Sequence, residues 1–305
     1  MNIYCKWNNA DFYPNCNRVK NELAEYSTEK LLYGRPIEIL IQNYFNNEDI
    51  KIGALDFDIL LRVAASCGLT KKQLENYLVL QGIELNNKIF DNRLLNLVKY
   101  GYLSLVQLRQ LNYDFEVQLF DITNKGISCL KKSEPLFHDT SMEYFSEEDV
   151  FRYMRTKIVS NQISLHLLCS HRGLRTFSFQ RINKSKSKQL DEEMIIAPLY
   201  IQTDVRNYLF EFVGNTSLGN KIFKYRMEQI TLKQNRYPEN TAIVIVAETY
   251  DHMKVLTTQM YSFERNGLQM DVLYTHDSEW FYEIPGQLFV MARAMGHSGL
   301  IRVNI

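Results

Sequence analysis

Apolar and polar positions follow a helical period over residues 52–101. Apolar residues recur every three to four positions, which predicts amphipathic helices within "GALDFDILLRVAASCGL", "TKKQLENYLVLQG" and "NNKIFDNRLLNLVKYGYL". Thr70 stands at the N-cap position of the second helix. Each helix should end at a glycine: Gly68, Gly82 and Gly101. The third helix should bury four apolar residues: Ile89, Leu94, Leu97 and Val98.

After Gly101 the period changes to two, the period of β-strands. "YLSLVQLRQL" and "EVQLFDIT" alternate apolar and polar residues, and the turn-like "NYD" separates them. "NKGISCLKK" then begins another helix. Three short helices followed by a β-hairpin are typical of a winged helix-turn-helix. We therefore predict such a domain over residues 51–133, with Ser104–Thr123 as its wing.

The third helix is the predicted DNA-contacting element, because in winged helices this helix enters the major groove. Its polar face offers five candidate contacts: Lys88, Asn92, Arg93, Asn96 and Lys99. Arg109 lies near the tip of the predicted wing. Winged helices also serve as protein–protein modules, and residues 51–133 are only mildly basic, with eleven basic and eight acidic residues. The three cations on the third helix favour DNA binding.

From about residue 190 to 280, short apolar strands alternate with helices. "MIIAPLYI", "YLFEFV", "TAIVIVAET" and "MDVLYTHD" have strand character, and "NKIFKYRMEQITLKQ" and "YDHMKVLTTQMYSFERNG" have helical periodicity. This alternation predicts an α/β domain with a central mixed sheet, placed within residues 134–305. Residues 1–50 are interpreted as a partly helical N-terminal extension, with "RPIEILIQNYFNN" as its helix.

Charge is distributed unevenly along a chain of 35 basic and 35 acidic residues. Residues 150–190 hold nine basic residues and no acidic residue, so the remainder has 26 basic and 35 acidic residues. A basic segment of this kind is typical of a surface that meets a polyanion, although a solvated basic face over acidic neighbours would look the same. Six of these cations are predicted DNA contacts: Arg172, Arg175, Arg181, Lys184, Lys186 and Lys188.

The stretch "YLFEFVGNTSLGNKIFKYRMEQ", following a winged helix, resembles the replication-relaxation family of plasmids and conjugative elements. The strand acid of that family matches Glu211, and its helix pattern matches Lys221 and Tyr225. The resemblance implies a DNA-binding accessory protein of plasmid replication or conjugative transfer with a nuclease-like PD-(D/E)xK domain. Its partners would be double-stranded DNA and other replication or transfer proteins.

The same stretch departs from an active nuclease at two positions. Leu199 stands where the family has the aspartate of a Pro-Asp pair, and Val213 stands where an active site has lysine. Because Mg²⁺ catalysis needs at least two converging carboxylates, we predict an inactive domain that is not an enzyme. Two alternatives stay open. One is a metal-dependent endonuclease that uses Glu211, with Asp204 and Lys221 as replacements, and the other is a winged-helix transcriptional regulator.

The residues give little support to nucleotide binding, metal binding or nucleophilic catalysis. Neither GxGxxG nor GxxxxGK[ST] occurs, and we expect no cofactor. "HLLCSHRG" lacks a second pair of ligands at zinc spacing, so no metal site is predicted. The histidines are scattered and give no nucleophile triad. Five irregularly spaced cysteines, no membrane-length apolar run and no signal-peptide pattern at the N-terminus favour a cytoplasmic protein, and homodimerisation stays open.

Overall fold

The computed structural model describes residues 4–8, 37–42, 49–66, 68–110, 116–131, 147–170, 174–180, 199–277, 289–293 and 300–304. The helices are α1 (Ala54–Ser66), α2 (Lys71–Leu80), α3 (Asn87–Lys99), α4 (Asn124–Lys131), α5 (Glu147–Ser170), α6 (Ser217–Lys233) and α7 (Tyr250–Arg265). The strands are β1 (Tyr4–Asn8), β2 (Ile37–Gln42), β3 (Leu103–Gln110), β4 (Glu116–Ile122), β5 (Leu174–Gln180), β6 (Leu199–Thr203), β7 (Asn207–Phe212), β8 (Thr241–Ala247), β9 (Asp271–His276), β10 (Phe289–Arg293) and β11 (Leu300–Asn304). In the described part of the chain, no helix combines the length and apolar character needed to cross a membrane.

The three predicted N-terminal helices and the hairpin are confirmed as α1, α2, α3 and β3–β4. Thr70 caps α2 as expected: its hydroxyl accepts from the backbone N–H of Gln73, whose side chain accepts from the backbone N–H of Thr70. Gly68, with φ +108°, takes a conformation that a side chain would strain and turns the chain between α1 and α2. After this turn Leu69 forms an isolated antiparallel bridge to Phe120 of β4.

Two predictions about these elements are wrong. Ile89 is 56% exposed rather than buried, because Phe90 is the residue that shares a face with Leu94 and Leu97, and the larger ring occupies the core. The segment predicted as the helix "RPIEILIQNYFNN" contains β2, which pairs antiparallel with β3. Its isoleucines alternate with other residues, as strand residues do, and the segment pairs with the edge of β3.

The larger sheet has the strand order β1–β5–β6–β7–β8–β9–β10–β11. β7, β8 and β9 are parallel, joined by α6 and α7, and their neighbours on both sides are antiparallel. The protein is therefore a mixed α/β structure with a mixed sheet, as predicted. Three of the four predicted strands are confirmed within two residues at each end, as β7, β8 and β9, and the fourth is described from Leu199 onward as β6.

Both faces of the sheet are covered. β8 is buried along its whole length, and its side chains alternate between two apolar clusters. Ile243 and Ile245 pack with residues of α6 and α7, whereas Val244 and Val246 pack with residues of α5 and of the N-terminal helices. A strand buried on both faces explains the unbroken apolar run "TAIVIVA".

Helix α5 connects the N-terminal helices to the sheet. The side-chain amide of Gln73 on α2 donates to the carbonyl of Ile158 at 2.7 Å, and the amide of Asn161 donates to the carbonyl of Gly68 at 2.9 Å. The Arg155 guanidinium donates to the backbone carbonyls of Val213 and Val246 on the sheet side. The predicted boundary near residue 133 stays a prediction, while α5 contacts elements on both sides of it.

Candidate functional site

Helix α3 presents a polar face to solvent. Its N-cap is Asn86, whose side chain accepts from the backbone N–H of Ile89, and its buried side is held by Phe90, Leu94, Leu97 and Val98. Residues spaced by four, three and four positions lie on the opposite side, since 3.6 residues make one turn. These outward residues are Lys88, Asn92, Leu95 and Lys99.

The five predicted contacts on α3 do not share one environment. Lys88, Asn92 and Lys99 are exposed, and Asn96 is half-buried at the edge of the same face. Arg93 points toward α1 instead: its Nε donates to Oδ1 of Asp56 at 2.6 Å, and its Nη2 bonds Oδ2 of Asp56 and the carbonyl of Lys51. Asp56 is buried, so this pair fixes α3 against the start of α1.

The wing residue Arg109 lies in β3. Its register partners are Glu38 on β2 and Glu116 on β4, so it occupies the central strand of the three-stranded sheet. The loop that joins β3 to β4 lies outside the described residues.

Part of the basic segment, residues 150–190, is buried in the protein. Arg155 and Lys157 are 2% and 3% exposed on α5. Arg175 belongs to β5, whose position in the sheet is between β1 and β6. Five of the predicted contacts lie outside the described residues: Arg172, Arg181, Lys184, Lys186 and Lys188. Charge counting along the sequence therefore overstated the basic surface by at least the two buried cations.

Glu211 is paired with an arginine. It lies on β7, is 3% exposed and faces α6, where both of its oxygens accept from the Arg226 guanidinium at 2.7 Å. This bidentate ion pair engages both carboxylate oxygens, the atoms through which Glu211 would bind a metal ion. A signal for this pair was present in the sequence, because Glu211 lies on a strand and Arg226 lies on the helix that directly follows it.

The two residues expected to rescue nuclease chemistry lie elsewhere. Asp204 is exposed in the turn between β6 and β7, and Glu211 lies near the opposite end of β7. The four steps along the strand from Asn207 to Glu211 alone span about 13 Å, which exceeds what two ligands of one ion allow. Lys221 is exposed on α6. Within the described ranges, no group of three or more His, Cys, Asp or Glu side chains is arranged to hold a metal ion.

A second charged cluster lies at the carboxyl ends of the parallel strands. Asp277 directly follows β9 and accepts from Nε and Nη2 of Arg155 at 2.7 and 2.9 Å. Glu248 directly follows β8; its Oε1 accepts from the backbone N–H of Asn215 at 3.1 Å and lies 4.0 Å from Nη1 of Arg155. His252, in the first turn of α7, lies with its Nδ1 3.5 Å from the backbone nitrogen of Glu248.

The environment of this cluster shifts two ionisation equilibria. Burial, reinforced by the charge of Asp277 and opposed by the Asn215 N–H, raises the pKa of Glu248 from 4.5 to about 8. Burial and the charge of Arg155 lower the pKa of His252 from 6.5 to about 4. Both side chains are thus neutral at pH 7. Oε2 of Glu248 and Nε2 of His252 are buried and have no hydrogen-bond partner among the described residues.

Sequence reasoning missed this cluster, although a usable signal existed. Glu248 and Asp277 stand at the carboxyl ends of two predicted strands, in "VIVAE" and "LYTHD". The carboxyl ends of parallel strands meet at one edge of a sheet, so the two acids can be expected to lie close together. Arg155 could not be found in this way, because its contact with Asp277 joins positions 122 residues apart.

Comparisons with protein-family models, with curated proteins and with solved structures gave no match to this chain.

Proposed function

We propose that this protein is a sequence-directed DNA-binding protein that contacts double-stranded DNA through α3 of a winged helix-turn-helix. The observation that carries the proposal is the outward face of α3, where Lys88, Asn92 and Lys99 are exposed and lie on one side of the helix. Cations of this kind neutralise phosphates, and an exposed asparagine suits the hydrogen-bonding edge of adenine in the major groove.

The connection of the strands supports the winged-helix assignment. The residue between α1 and α2, Leu69, exchanges both backbone hydrogen bonds with Phe120 of β4, at 2.9 and 2.8 Å. This isolated bridge joins the segment after the first helix to the second strand of the hairpin and closes the helices against the wing. Here β2 adds a further strand to the outer edge of β3.

The position of α3 also supports a role as the contacting helix. Its buried side is packed against the core, and the Arg93–Asp56 pair anchors it to α1. A rigidly held helix with an unencumbered outer face is what groove insertion requires. In this proposal Arg93 positions α3, and base contacts come from Asn92 and Asn96.

The biological setting follows from the resemblance to the replication-relaxation family. On that basis we propose an accessory protein of plasmid replication or conjugative transfer, with a nuclease-like domain that does not cleave DNA. Glu211 supports the inactive assignment, since both of its oxygens are engaged by Arg226. A transcriptional regulator with the same α3 chemistry is the second candidate, and it shares the observation on α3.

The binding proposal is tested by a mobility-shift titration with duplexes selected from a random library. Lys88→Ala combined with Lys99→Ala should weaken binding to the selected site. A matched control removes two exposed cations from α7, Lys254 and Arg265, and should leave binding within twofold of wild type. Equal loss in both double variants would mean that net charge, and not α3, determines binding.

The absence of cleavage is tested with supercoiled, linear and single-stranded DNA in Mg²⁺ and then in Mn²⁺. We expect intact DNA in all reactions. Nicking that disappears in Glu211→Gln, and persists in the Lys88/Lys99 variant, would instead establish the endonuclease alternative.

A further inference from the structure

Two exposed apolar side chains interrupt the polar face of α3. Leu95 is 60% exposed and Ile89 is 56% exposed, whereas the other apolar residues of the helix are buried. Neither belongs to the apolar clusters that the described residues form. Exposing two large aliphatic side chains on one turn-spaced row offers nothing to the stability of this fold.

Their arrangement around Asn92 is regular. Ile89, Asn92 and Leu95 are spaced by three residues each, so they form one row across the outward face, with Asn92 in the centre. From Ile89 to Leu95 the helix advances about 9 Å, which corresponds to roughly three base-pair steps of B-DNA. Lys88 and Lys99 lie beside the two ends of this row.

The chemistry of the row matches one base pair in particular. In the major groove, adenine presents the N6 and N7 edge that an asparagine amide recognises, and thymine presents a methyl group that an apolar side chain contacts. Guanine and cytosine offer no methyl group. The flanking lysines favour a polyanion over an apolar protein surface, because a protein partner would have to desolvate both ammonium groups.

We propose that Ile89 and Leu95 are specificity-determining residues that contact thymine methyl groups, so that α3 recognises a short A·T-containing core with Asn92 on adenine. The inference rests on the proposed function, since it assigns the base preference of the same helix. It places the sequence information in an apolar–amide–apolar row and leaves the lysines to the phosphates.

The test replaces thymine by uracil, which removes the methyl group and keeps Watson–Crick pairing. Duplexes are first selected from a random library with the full-length protein, and each thymine of the selected core is then changed singly to uracil. At contacted positions the wild-type dissociation constant should rise about fourfold, the effect of one methyl group removed from apolar contact. Uracil outside the core should have no effect.

The variants show which side chain makes each contact. In Leu95→Ala, uracil at the thymine facing Leu95 should no longer change affinity, while uracil at the thymine facing Ile89 should still do so, and Ile89→Ala should behave in the reverse way. Leu232→Ala removes an apolar side chain of α6 that is 77% exposed and serves as the matched control, with the full uracil effect retained.

Three results would overturn the inference while leaving DNA binding intact. These are a selected core without thymine, uracil effects equal in wild type and both variants, and a loss of oligomer mass in Leu95→Ala with unchanged DNA affinity, which would assign the apolar pair to a protein interface. If the library yields no enriched or bound duplex at all, the proposed function itself fails.

Discussion

Helices α3 and α5 each carry three cations, but two of the three are exposed on α3 and two are buried on α5. On α3, Lys88 and Lys99 extend into solvent. On α5, Arg155 and Lys157 are buried, and Arg155 is bonded to Asp277. The count of cations is the same in the two sequences, so it carries no information about which helix faces a polyanion.

The difference lies in the residues between the cations. α3 has one apolar stripe, and its other side is polar, so its lysines fall on the exposed side. Residues 157–167 of α5 are all buried, and its polar members there bond to neighbouring elements or pack within the protein. When a helix is surrounded by protein, its charged residues are buried with it, and each then needs a hydrogen-bonding or ionic partner.

The largest effect is expected for Arg155→Met. The substitution leaves Asp277 buried without its guanidinium, and removing one partner of a buried ion pair typically costs about 3–5 kcal/mol of unfolding free energy. Chemical denaturation followed by circular dichroism measures this cost. Lys88→Met is the matched control on α3 and should change stability by less than about 0.5 kcal/mol. Similar values for the two variants would mean that α5 is not buried in the folded protein.

The same contrast shows what the sequence could predict. The period of three to four residues located α1, α2 and α3, and the Thr70 cap and the glycines gave their ends within a few residues. The unbroken apolar run of β8 predicted a strand, and the structure confirms it. Local patterns of this kind depend on neighbours in the chain, which a single sequence displays.

The features that the sequence did not predict depend on partners that are distant along the chain. Residues 37–42 became a strand because β3 lies beside them, and Arg155 became a core residue because Asp277 and two strand carbonyls surround it. The ion pair of Arg93 was likewise not foreseen, since its guanidinium bonds Asp56, 37 residues earlier, and its predicted contact with DNA stays a prediction. The helical period distinguishes a buried face from an exposed face. It does not show which side chain at the border between the two faces forms an ion pair with an acidic residue.

A second prediction concerns pH and the cluster around Arg155. Folded Glu248 keeps its proton up to its pKa of about 8, whereas in the unfolded chain it loses the proton above 4.5, so its contribution destabilises the fold as pH rises from 4.5 to 8. His252 acts oppositely: the unfolded chain gains a proton below 6.5 and the folded protein only below about 4, so stability falls as pH drops through that window.

Between pH 4.5 and 6.5 the two contributions nearly cancel, and above 6.5 Glu248 acts alone. From pH 6.5 to 8 the wild type should therefore lose up to about 2 kcal/mol more unfolding free energy than Glu248→Gln, which has no proton to lose. Urea denaturation at pH 6.5, 7.2 and 8 compares the two slopes, and parallel slopes would contradict the buried position of Glu248.

A smaller effect is expected at the start of α2, the helix that contacts α5. Thr70→Ala removes the hydroxyl that accepts from Gln73 and leaves a buried N–H unpaired, which should cost about 1 kcal/mol. Thr258→Ala, at an exposed position within α7, serves as the control and should be close to neutral. If the two substitutions cost the same amount, the cap does not hold α2 in place.

The smallest effect on stability is expected for the exposed cations of α3, whose removal should affect DNA binding instead. Lys88→Ala with Lys99→Ala should change the unfolding free energy by less than about 0.5 kcal/mol, because neither ammonium group is buried. If both lysines contact phosphates, however, the variant releases about two fewer counterions on binding. The slope of log affinity against log salt should then become shallower by about two units. Mobility-shift titrations at four salt concentrations measure this slope. An unchanged slope with unchanged stability would mean that α3, although exposed, does not face the DNA backbone, and the buried cations of α5 could not take its place because Arg155 is already bonded to Asp277.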